Sequence, residues 1–340
     1  MAVTQAQIAK LAGVSRGTVD RVINNRGHVD PAVEEKIRRI AKEENYRPNR
    51  AGVQLVRLKK PLKIGILIQS VETPYMRDLL SEVTAARGRM RAEGAELIIY
   101  SNQGFNVDEQ MCVLDEMEHE GVDGIAITPV EDKGICNRLA GMSKRIPIVT
   151  VNRDMPLSHR LCYVGQDNYQ SGRACAGLMN MLLNGQGQVL TVIGPAINQS
   201  HQQRYEGFVS EMHRCYKGIS VLPPEQCYDN PQIAYRSIYR RLSEKKDISG
   251  LYFAGNGQTG ACEAVRELKL KGKIRIVCHD LTKENLHYMK EGYIDFLIDQ
   301  DVHEQATRPL KVLLDYIMTG TKPASDKLLT SIGYRNQYNI

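Results

Sequence analysis

Four residues near the amino terminus have the types and the spacing needed to contact DNA base edges. Arg16, Gly17, Asp20 and Arg21 are separated by one or three to five positions, so they share one face of any helix that contains them. A guanidinium can donate two hydrogen bonds to guanine, and the Asp20 carboxylate can accept one from cytosine or hold Arg21 in place. We favour the second role, because a carboxylate near phosphates is costly unless it is paired. These residues predict a helix that enters a major groove.

A short helix is predicted just before this face. Thr4 followed by Gln7 forms a capping box, and Gly13 supplies a turn after the helix. Three apolar residues recur at helical spacing and are predicted to face inward, namely Ile8, Leu11 and Ala12. The turn at Gly13 then leads into a second helix, in the arrangement called helix-turn-helix.

Two further helices complete a small all-α unit. Ser15 is predicted to cap the second helix, and Asp30 to cap a third helix that has Pro31 at its first position. The inward residues predicted for the second helix are Val19, Val22 and Ile23. Those predicted for the third helix are Val33, Ile37, Ile40 and Ala41. Three helices of this size can share one apolar core.

The net positive charge of the chain is concentrated in the same segment. Residues 1–60 contain 13 Lys and Arg against 6 Asp and Glu, whereas the whole chain has 45 against 39. The rest of the chain is therefore close to neutral. A basic excess confined to a helix-turn-helix is the charge distribution expected of a module that contacts phosphates.

Length and composition exclude several classes of protein. The chain has 340 residues, of which 42% are hydrophobic and 25% charged, as in a globular protein of two or three domains. It has no leader peptide pattern and no apolar run that could span a bilayer, so we expect a cytoplasmic protein without membrane contact. The eight cysteines form no C-x-x-C pair, and we predict no disulfide, no metal site and no cofactor, with most cysteines buried.

The chain after about residue 62 alternates apolar runs with longer amphipathic segments, and residues 45–61 before it have the composition of a linker. The predicted strands are Lys63–Gln69, Glu96–Tyr100, Gly124–Thr128, Ile146–Val151, Gln188–Ile193, Gly250–Ala254 and Ile274–His279. Such alternation predicts right-handed βαβ units on parallel sheets, and the number of units favours two lobes with a cleft. Ligands of such sheets bind at the carboxyl ends of the strands.

Two glycine motifs could indicate other chemistry. Gly255–Gly260 has the pattern G-x-G-x-x-G, and Asp280 follows at the next strand end, as in a dinucleotide site. This fingerprint usually opens a βαβ domain, whereas here it lies deep in the chain, so a DNA-binding redox sensor is the alternative interpretation. Gly13–Gly17 matches G-x-S-x-G, but a capped helix precedes it, so Ser15 is predicted to be a cap and not a nucleophile. Nothing else supports an enzyme.

The amino-terminal segment resembles the DNA-binding head of the lactose-repressor (LacI) family. The matching residues are Ile8, Ala9, Ala12–Ser15, Thr18, Val19, Arg21–Asn24, Tyr46, Pro48 and Asn49. The resemblance implies that Arg16, Gly17, Asp20 and Arg21 contact bases, although the family commonly has a polar side chain at position 17 and Ser at position 20. The other DNA contacts that it implies are Thr4, Ser15, Thr18, Asn24, Asn49, Arg50 and Leu55.

The resemblance also implies a role for the linker. Leu55 matches the leucine that this family inserts between base steps in the minor groove, with a plain linker residue as the alternative. Gly52 stands where the family often has Ala, and Gly in a helix costs about 1 kcal/mol. We therefore expect residues 49–56 to order only on DNA and to couple the two halves of the chain.

The remainder of the chain is similar to the type I periplasmic sugar-binding fold, and most of all to ribose-type binders. The motifs that carry this resemblance are Thr73–Tyr75, Pro147–Arg153, Arg204–Phe208, Asn256, Asp280 and Gln300. The effector contacts that it implies are Thr73, Tyr75, Asn152, Arg153, Gln202, Asn256, Asp280 and Gln300. Planar amide, carboxylate and guanidinium groups can make paired hydrogen bonds to adjacent hydroxyls, and an aromatic ring can pack on a sugar. Any one of these residues could instead be satisfied by backbone groups at a strand end.

Two positions depart from the ribose-type pattern. Asn152 precedes Arg153 where the family has an Asp-Arg pair, and Gln202 stands where an Arg is common. Two charges that define the sugar are thus changed. A polyol or a modified sugar therefore fits these residues as well as a pentose does.

The predicted fold is a small all-α helix-turn-helix head followed by an α/β two-lobed, type I periplasmic-binding-protein-like domain with parallel sheets. The predicted boundaries are 1–48 for the head, 49–61 for the hinge, and 62–340 for effector binding and dimerisation, with lobe one at about 62–165 and 300–330 and lobe two at about 166–299 and 331–340. The resemblance implies a homodimeric regulator, most simply a repressor, that binds operator DNA and a sugar or polyol. A dinucleotide sensor and an enzyme with an appended head remain as alternatives.

Overall fold

The structure of the protein is a computed structural model that describes residues 3–23, 27–44, 46, 60–245 and 247–340. The chain divides into two compact units between residues 59 and 60. Several residues discussed above lie outside the described ones, namely Asn24, Asn49, Arg50, Gly52 and Leu55. No described helix is both long and apolar enough to cross a membrane. Likewise, the described His, Cys, Asp and Glu side chains form no group of three or more that could hold a metal ion.

The first unit is built on three helices, α1 (Gln5–Ala12), α2 (Arg16–Ile23) and α3 (Pro31–Glu43). Its core contains Ile8, Ala9, Ala12, Val19, Val22 and Ile37. The prediction for Leu11 was wrong, because this side chain is 55% exposed. The buried stripe of α1 is centred on positions 8, 9 and 12, and Leu11 lies about one third of a turn from that stripe.

The caps of these helices are confirmed. Thr4 Oγ1 accepts a hydrogen bond from the backbone N–H of Gln7, and Gln7 Oε1 accepts one from the backbone N–H of Thr4. Gly13 follows α1 in the left-handed conformation, with φ 70°. Asp30 Oδ1 accepts from two backbone N–H groups of the first turn of α3. Pro31 follows Asp30 and is the first residue of the helix.

One sheet of the second unit is entirely parallel. Its strands run in the order β11-β5-β4-β3-β1-β2. Their bounds are β1 (Leu62–Ile68), β2 (Ala95–Ser101), β3 (Gly124–Ile127), β4 (Ile148–Val151), β5 (Cys162–Gly165) and β11 (Lys327–Leu329). Strands β1, β3 and β4 are almost fully buried, as expected for a sheet that is covered by helices on both faces.

The other sheet has the order β12-β10-β9-β8-β6-β7 and is parallel except for β12, which runs antiparallel to β10. Its bounds are β6 (Gly187–Ile193), β7 (Ile219–Gln226), β8 (Ile248–Phe253), β9 (Arg275–His279), β10 (Phe296–Asp299) and β12 (Gly333–Arg335). The chain passes between the sheets after β5, after β10 and after β11. These crossings join the two lobes at one side.

Helices cover both faces of each sheet. Those of lobe one are α4 (Pro74–Ala85), α5 (Arg87–Ala92), α6 (Val107–His119), α7 (Lys133–Met142) and α13 (Val302–Thr319). Those of lobe two are α8 (Asn168–Leu182), α9 (Gln199–Cys215), α10 (Pro231–Glu244), α11 (Gln258–Glu267) and α12 (Lys283–Lys290). Because the helices return the chain to the amino end of each next strand, the carboxyl ends of the parallel strands lie together at one edge.

All the predicted strands are present within two residues of their predicted bounds. Sequence patterns missed β5, β7, β10, β11 and β12. Four of these have only three or four residues, and β7 contains Pro223 and Pro224, which an edge strand tolerates because it needs fewer backbone donors. The cysteines are mostly buried, as predicted, although Cys112 and Cys215 are exposed.

Candidate functional site

Helix α2 presents the predicted DNA-contacting face to solvent. Arg16, Gly17 and Arg21 are exposed, while Val19 and Val22 on the opposite side are buried in the core. A side chain at position 17 would contact little, because a Cβ there lies within 4 Å of only the Ser15 hydroxyl. The face is therefore open, and its glycine leaves room for close approach of another molecule.

The polar residues around α2 are held by local hydrogen bonds. Ser15 Oγ accepts from the backbone N–H of Thr18 at 3.1 Å and lies 2.9 Å from Thr18 Oγ1, which confirms Ser15 as the cap. Half-buried Asp20 accepts from Gln5 Nε2 at 3.5 Å. Sequence reasoning did not anticipate this contact, which ties α2 to α1.

A cleft of about 400 Å³ lies between the two lobes, where the carboxyl ends of both sheets meet. Residues that follow strands supply much of its lining, as the parallel topology requires. The predicted effector residues that line it are Thr73, Tyr75, Asn152, Arg153, Asn256, Asp280 and Gln300. Gln202 does not line it.

Backbone strain is concentrated around this cleft. Ser70, Asn152, Tyr228, Asp229 and Asp280 all line the cleft with φ between 52° and 77°, in the left-handed region that non-glycine residues rarely adopt. Such conformations cost free energy and persist only where the surrounding structure holds them. They direct polar side chains at strand ends into a common space.

One end of the cleft is organised around Asp280. Gln300 Nε2 donates a hydrogen bond to Asp280 Oδ1, and Asn285 Nδ2 donates to the backbone carbonyl of Asp280 at 2.9 Å. Burial raises the pKa of the Asp280 carboxyl above its usual value. The hydroxyl of Tyr75, also in the lining, is buried with no hydrogen-bond partner in the described part of the chain.

The other end of the cleft is organised around Arg153. This side chain is 4% exposed, and its guanidinium lies 4.6 Å from the centre of the Phe105 ring. Its Nε and Nη1 atoms have no hydrogen-bond partner among residues 60–245 and 247–340 or in the described part of the head. Burial lowers the pKa of Arg153 to about 10, against the opposing charges of Glu131 and Asp229.

Arg204 occupies the cleft where the resemblance had suggested Gln202. Arg204 is 3% exposed, donates from Nε to Asn168 Oδ1 at 2.9 Å and lies with Nη1 3.4 Å from the Ala254 carbonyl. Gln202 is half-buried on the same helix. Residues 202 and 204 are two positions apart, which on a helix places their side chains about 200° apart around the axis. Helix α9 therefore cannot direct both of them into the cleft.

His201 and Asp229 form a second polar group that sequence reasoning missed. His201 Nε2 lies 3.0 Å from Asn198 Nδ2, and its Nδ1 lies 3.8 Å from Asp229 Oδ1. Burial lowers the pKa of His201 to about 4. A Cβ at Gly194 would collide with the His201 ring and the Asp229 carboxylate, so only glycine permits this packing. His201 and Asp229 follow β6 and β7 in the chain, and β7 was not predicted from the sequence.

The glycine-rich loop is arranged for packing and not for a pyrophosphate. The backbone N–H of Asn256 donates to the Asp229 carboxylate at 2.8 Å, so a negative charge already occupies the loop. A Cβ at Gly260 would collide with the carbonyl of Pro231, which shows that this glycine allows α11 to approach α10 closely. Nothing in this geometry supports the dinucleotide alternative.

Hydrogen bonds also cross the cleft directly. Both Glu131 carboxylate oxygens of lobe one lie 3.2 Å from the backbone N–H of Gln199 at the start of α9 in lobe two. Ser200 Oγ lies 3.5 Å from the Asn152 carbonyl, and Arg77 pairs with Glu284 at 3.4 Å. These contacts need the two lobes close together.

A cavity of about 530 Å³ elsewhere in lobe one contains none of the predicted residues. Its buried arginine, Arg160, is paired with Asp154, and Arg145 at its rim is paired with Glu118. The interlobe cleft is smaller, but its buried polar groups and strained backbone make it the stronger candidate for ligand binding.

Two family models match the chain. Residues 5–49 match the model described as bacterial regulatory proteins, lacI family. Residues 64–322 match the model described as periplasmic binding protein domain. The second match alone covers more than half of the chain.

Relatives and solved structures agree with these matches. The HTH-type transcriptional repressor PurR of Histophilus somni is 24% identical over 287 residues, which are 84% of this chain and 83% of that protein. The HTH-type transcriptional regulator DegA of Bacillus subtilis is 26% identical over 282 residues, 80% of this chain and 78% of that one. A solute-binding protein from Burkholderia graminis, solved with D-arabinose, has a TM-score of 0.75 at 22% identity and covers 82% of this chain and 96% of its own. That structural likeness shows the fold alone.

Proposed function

The chain belongs to the lacI family of bacterial regulatory proteins, with a periplasmic binding protein domain as its body, and we propose that it is a repressor whose affinity for operator DNA is controlled by a sugar or polyol in the interlobe cleft. The proposal rests on one observation above all. A single chain carries a helix-turn-helix with exposed Arg16 and Arg21, and a cleft in which five buried polar atoms lack hydrogen-bond partners among the described residues.

On the DNA side, α2 lies in the major groove. Arg16 and Arg21 donate to base edges, and the missing side chain at Gly17 allows close approach. Thr4, Ser15 and Thr18, at the amino ends of α1 and α2, contact phosphates with backbone N–H groups and hydroxyls. Asn24, Asn49, Arg50 and Leu55 are proposed as DNA contacts on the resemblance alone.

On the effector side, the hydroxyls of the ligand complete the hydrogen bonding of the cleft. Asp280 and Asn256 of lobe two and Asn152 and Arg153 of lobe one bind them from opposite sides, and Gln300 binds them from the crossing after β10. A ligand that bridges the lobes favours the arrangement in which Glu131 reaches the start of α9. The effector therefore acts by shifting the population towards closed lobes.

We further propose that the protein is a homodimer that acts in the cytoplasm, where operator DNA lies. A two-fold dimer places two copies of α2 on neighbouring turns of a near-palindromic site. In this proposal the head spans 1–48, the hinge 49–61 and the effector and dimerisation domain 62–340. The hinge carries the coupling, because it is the covalent link between the two binding functions.

The test uses the full chain in two assays. Selection from a random DNA pool should enrich a near-palindromic sequence, and a thermal-shift panel of sugars, polyols and NAD(H) should identify a stabilising ligand that changes operator affinity. Asp280→Ala should abolish the ligand response and leave DNA affinity without ligand nearly unchanged. Stabilisation by NAD(H) alone, or the absence of any enriched DNA, would overturn the proposal.

A further inference from the structure

The unpartnered polar atoms of the cleft are mostly hydrogen-bond donors. The described residues offer no partner to five buried atoms of its lining, namely Tyr75 Oη, Arg153 Nε, Arg153 Nη1, Asn198 Oδ1 and His201 Nδ1. The two arginine nitrogens can only donate, and the Asn198 oxygen is the single atom that can only accept. Buried polar groups are normally satisfied, so this set indicates the chemistry of the ligand.

The imidazole of His201 belongs with the donors. Its Nδ1 faces the Asp229 carboxylate at 3.8 Å, and a lone pair directed at a carboxylate would be unfavourable. The proton therefore lies on Nδ1, and Nε2 accepts from Asn198 Nδ2 at 3.0 Å. The Nδ1 proton is still beyond hydrogen-bonding distance of Asp229.

The guanidinium of Arg153 has no ion-pair partner among the described residues. No described carboxylate forms an ion pair with it, and the two acids nearby are engaged elsewhere. Glu131 accepts from the backbone of Gln199, and Asp229 accepts from the backbone of Asn256. A buried guanidinium without a partner is costly in the free protein, and an anionic ligand removes that cost.

Arg204 shows that this lining can satisfy a buried arginine. The two arginines are almost equally buried, at 3% for Arg204 and 4% for Arg153. Arg204 is held by Asn168 and directed towards the Ala254 carbonyl, whereas Arg153 has only the face of the Phe105 ring. The difference between them marks Arg153 as the group reserved for a ligand.

We propose that the effector is a sugar acid, a polyhydroxylated compound with one carboxylate, and that this carboxylate binds Arg153 with His201 Nδ1 beside it. The inference rests on the proposed function, since it specifies the ligand of the same cleft. The hydroxyl-bearing part of the ligand then lies towards Tyr75, Asp280 and Gln300, where both donors and acceptors are available.

A carboxylate fits this end of the cleft better than a phosphate does. Arg153 is the one arginine of the described lining whose guanidinium nitrogens lack partners, and the nearby carboxylates of Glu131 and Asp229 repel the two charges of a phosphate monoester more than the single charge of a carboxylate. A helix amino terminus could otherwise assist a phosphate, but the Glu131 carboxylate already occupies the start of α9.

The test compares a neutral sugar with compounds that carry a charged group at one of its terminal carbons. Calorimetry on the full chain would use D-glucose, D-gluconate and D-glucuronate, the corresponding D-galactose series, and D-glucose 6-phosphate. At least one carboxylate compound should bind about tenfold or more tighter than its neutral counterpart and than the phosphate, as a charged hydrogen-bond pair implies. The same compound should change operator affinity.

Arg153→Gln should remove this preference. Affinity for the carboxylate compound should fall about 10- to 100-fold, while affinity for the neutral counterpart changes by less than about threefold. The ligand-free variant should melt no lower than the parent, because an uncompensated buried charge has been removed. Arg236→Gln, on the exposed side of α10, is the matched control and should retain the preference.

Three results would overturn the inference. These are binding of only neutral sugars or only the phosphate, no binding by any carboxylate compound, and equal losses for acid and neutral compounds in Arg153→Gln. A neutral sugar that controls operator binding would refute the sugar acid and leave the proposed function standing. Loss of operator selection itself would refute the proposed function.

Discussion

The head and the cleft place charged groups in opposite environments. Arg16 and Arg21 of α2 lie in solvent, while Arg153 and Asp280 are 4% and 6% exposed. An exposed guanidinium keeps its hydration and is screened by salt, whereas a buried one has lost its hydration before any ligand arrives. The head is therefore suited to a polyanion that displaces counterions, and the cleft to one small ligand of matching polarity.

The two regions also differ in how their residues are brought together. The head uses neighbours in sequence, since Ser15 caps the same helix that displays Arg16 and Arg21. The cleft gathers strand ends as distant as Ser70 and Gln300, and it holds several of them at strained φ values. Changes to the head should therefore affect binding alone, while changes to the cleft should affect binding and stability together.

Salt concentration should affect ligand binding by the two regions most differently. Raising salt from about 50 to about 200 mM should weaken operator binding about 1,000-fold if the proposed dimer contacts about six phosphates, because released counterions drive that association. Effector affinity should change by less than about threefold over the same range, because buried groups are screened little. Fluorescence anisotropy with operator and calorimetry with effector, in identical buffers, measure both slopes. Parallel slopes would contradict the comparison.

Acidification should destabilise the body through His201. Burial lowers the pKa of His201 from 6.5 to about 4, so the unfolded chain binds its proton first. The free energy of unfolding is therefore highest above pH 6.5, where His201 is neutral in both states. It falls by about 2–3 kcal/mol as the pH falls towards 4 and the unfolded state takes up the proton. His201→Gln should flatten the dependence of unfolding free energy on pH in this window, measured by denaturant titration.

The control for this experiment lies on the same helix. His213 is exposed, so His213→Gln should leave the pH dependence of the parent unchanged. Glu131, whose pKa is raised by burial and does not depend on His201, is common to all three proteins and cancels in the comparison. Identical curves for the two variants would mean that His201 is protonated as readily in the folded state as in the unfolded state.

Arg16→Ala should affect recognition without affecting stability. A bidentate base contact contributes about 1–3 kcal/mol of discrimination, so operator binding should weaken by that amount and binding to random DNA much less. The melting temperature should stay within about one degree or two, because an exposed side chain contributes little to folding. Arg39→Ala on α3 serves as the control for a general loss of positive charge. Equal losses on both DNAs would assign Arg16 to a phosphate.

The contrast also explains what the sequence could predict. The caps at Thr4, Ser15 and Asp30 are local signals, and the head followed from them. The prediction of the cleft residues depended on the family resemblance. That resemblance identified residues at the ends of β4, β9 and β10 but not the neighbours of His201. The end of β7 was missed because two prolines interrupt its strand pattern.

The orientation of α9 could not be predicted because packing determines it. Gly172 of α8 and Gly207 of α9 let the two helices approach so closely that a Cβ at either would collide with backbone of the other. This contact fixes which side of α9 faces the cleft. It brings Arg204 and His201 inward and leaves Gln202 outside, a choice that residue types alone do not reveal.

A substitution of Gln202 therefore tests where the ligand-binding surface ends on α9, and we expect its effect to be the smallest of those predicted here. Gln202→Ala should change effector affinity by less than about twofold, as is usual for a residue outside a binding surface. Asn256→Ala, at a half-buried position that does line the cleft, should weaken the effector about three- to tenfold through one lost hydrogen bond. Calorimetry with the same effector compares them. If both variants lost affinity equally, Gln202 would have to contact the ligand. The lobes would then close further around the ligand than they do here and turn α9 until Gln202 reaches it. The boundary between buried and exposed binding groups would in that case depend on the ligand.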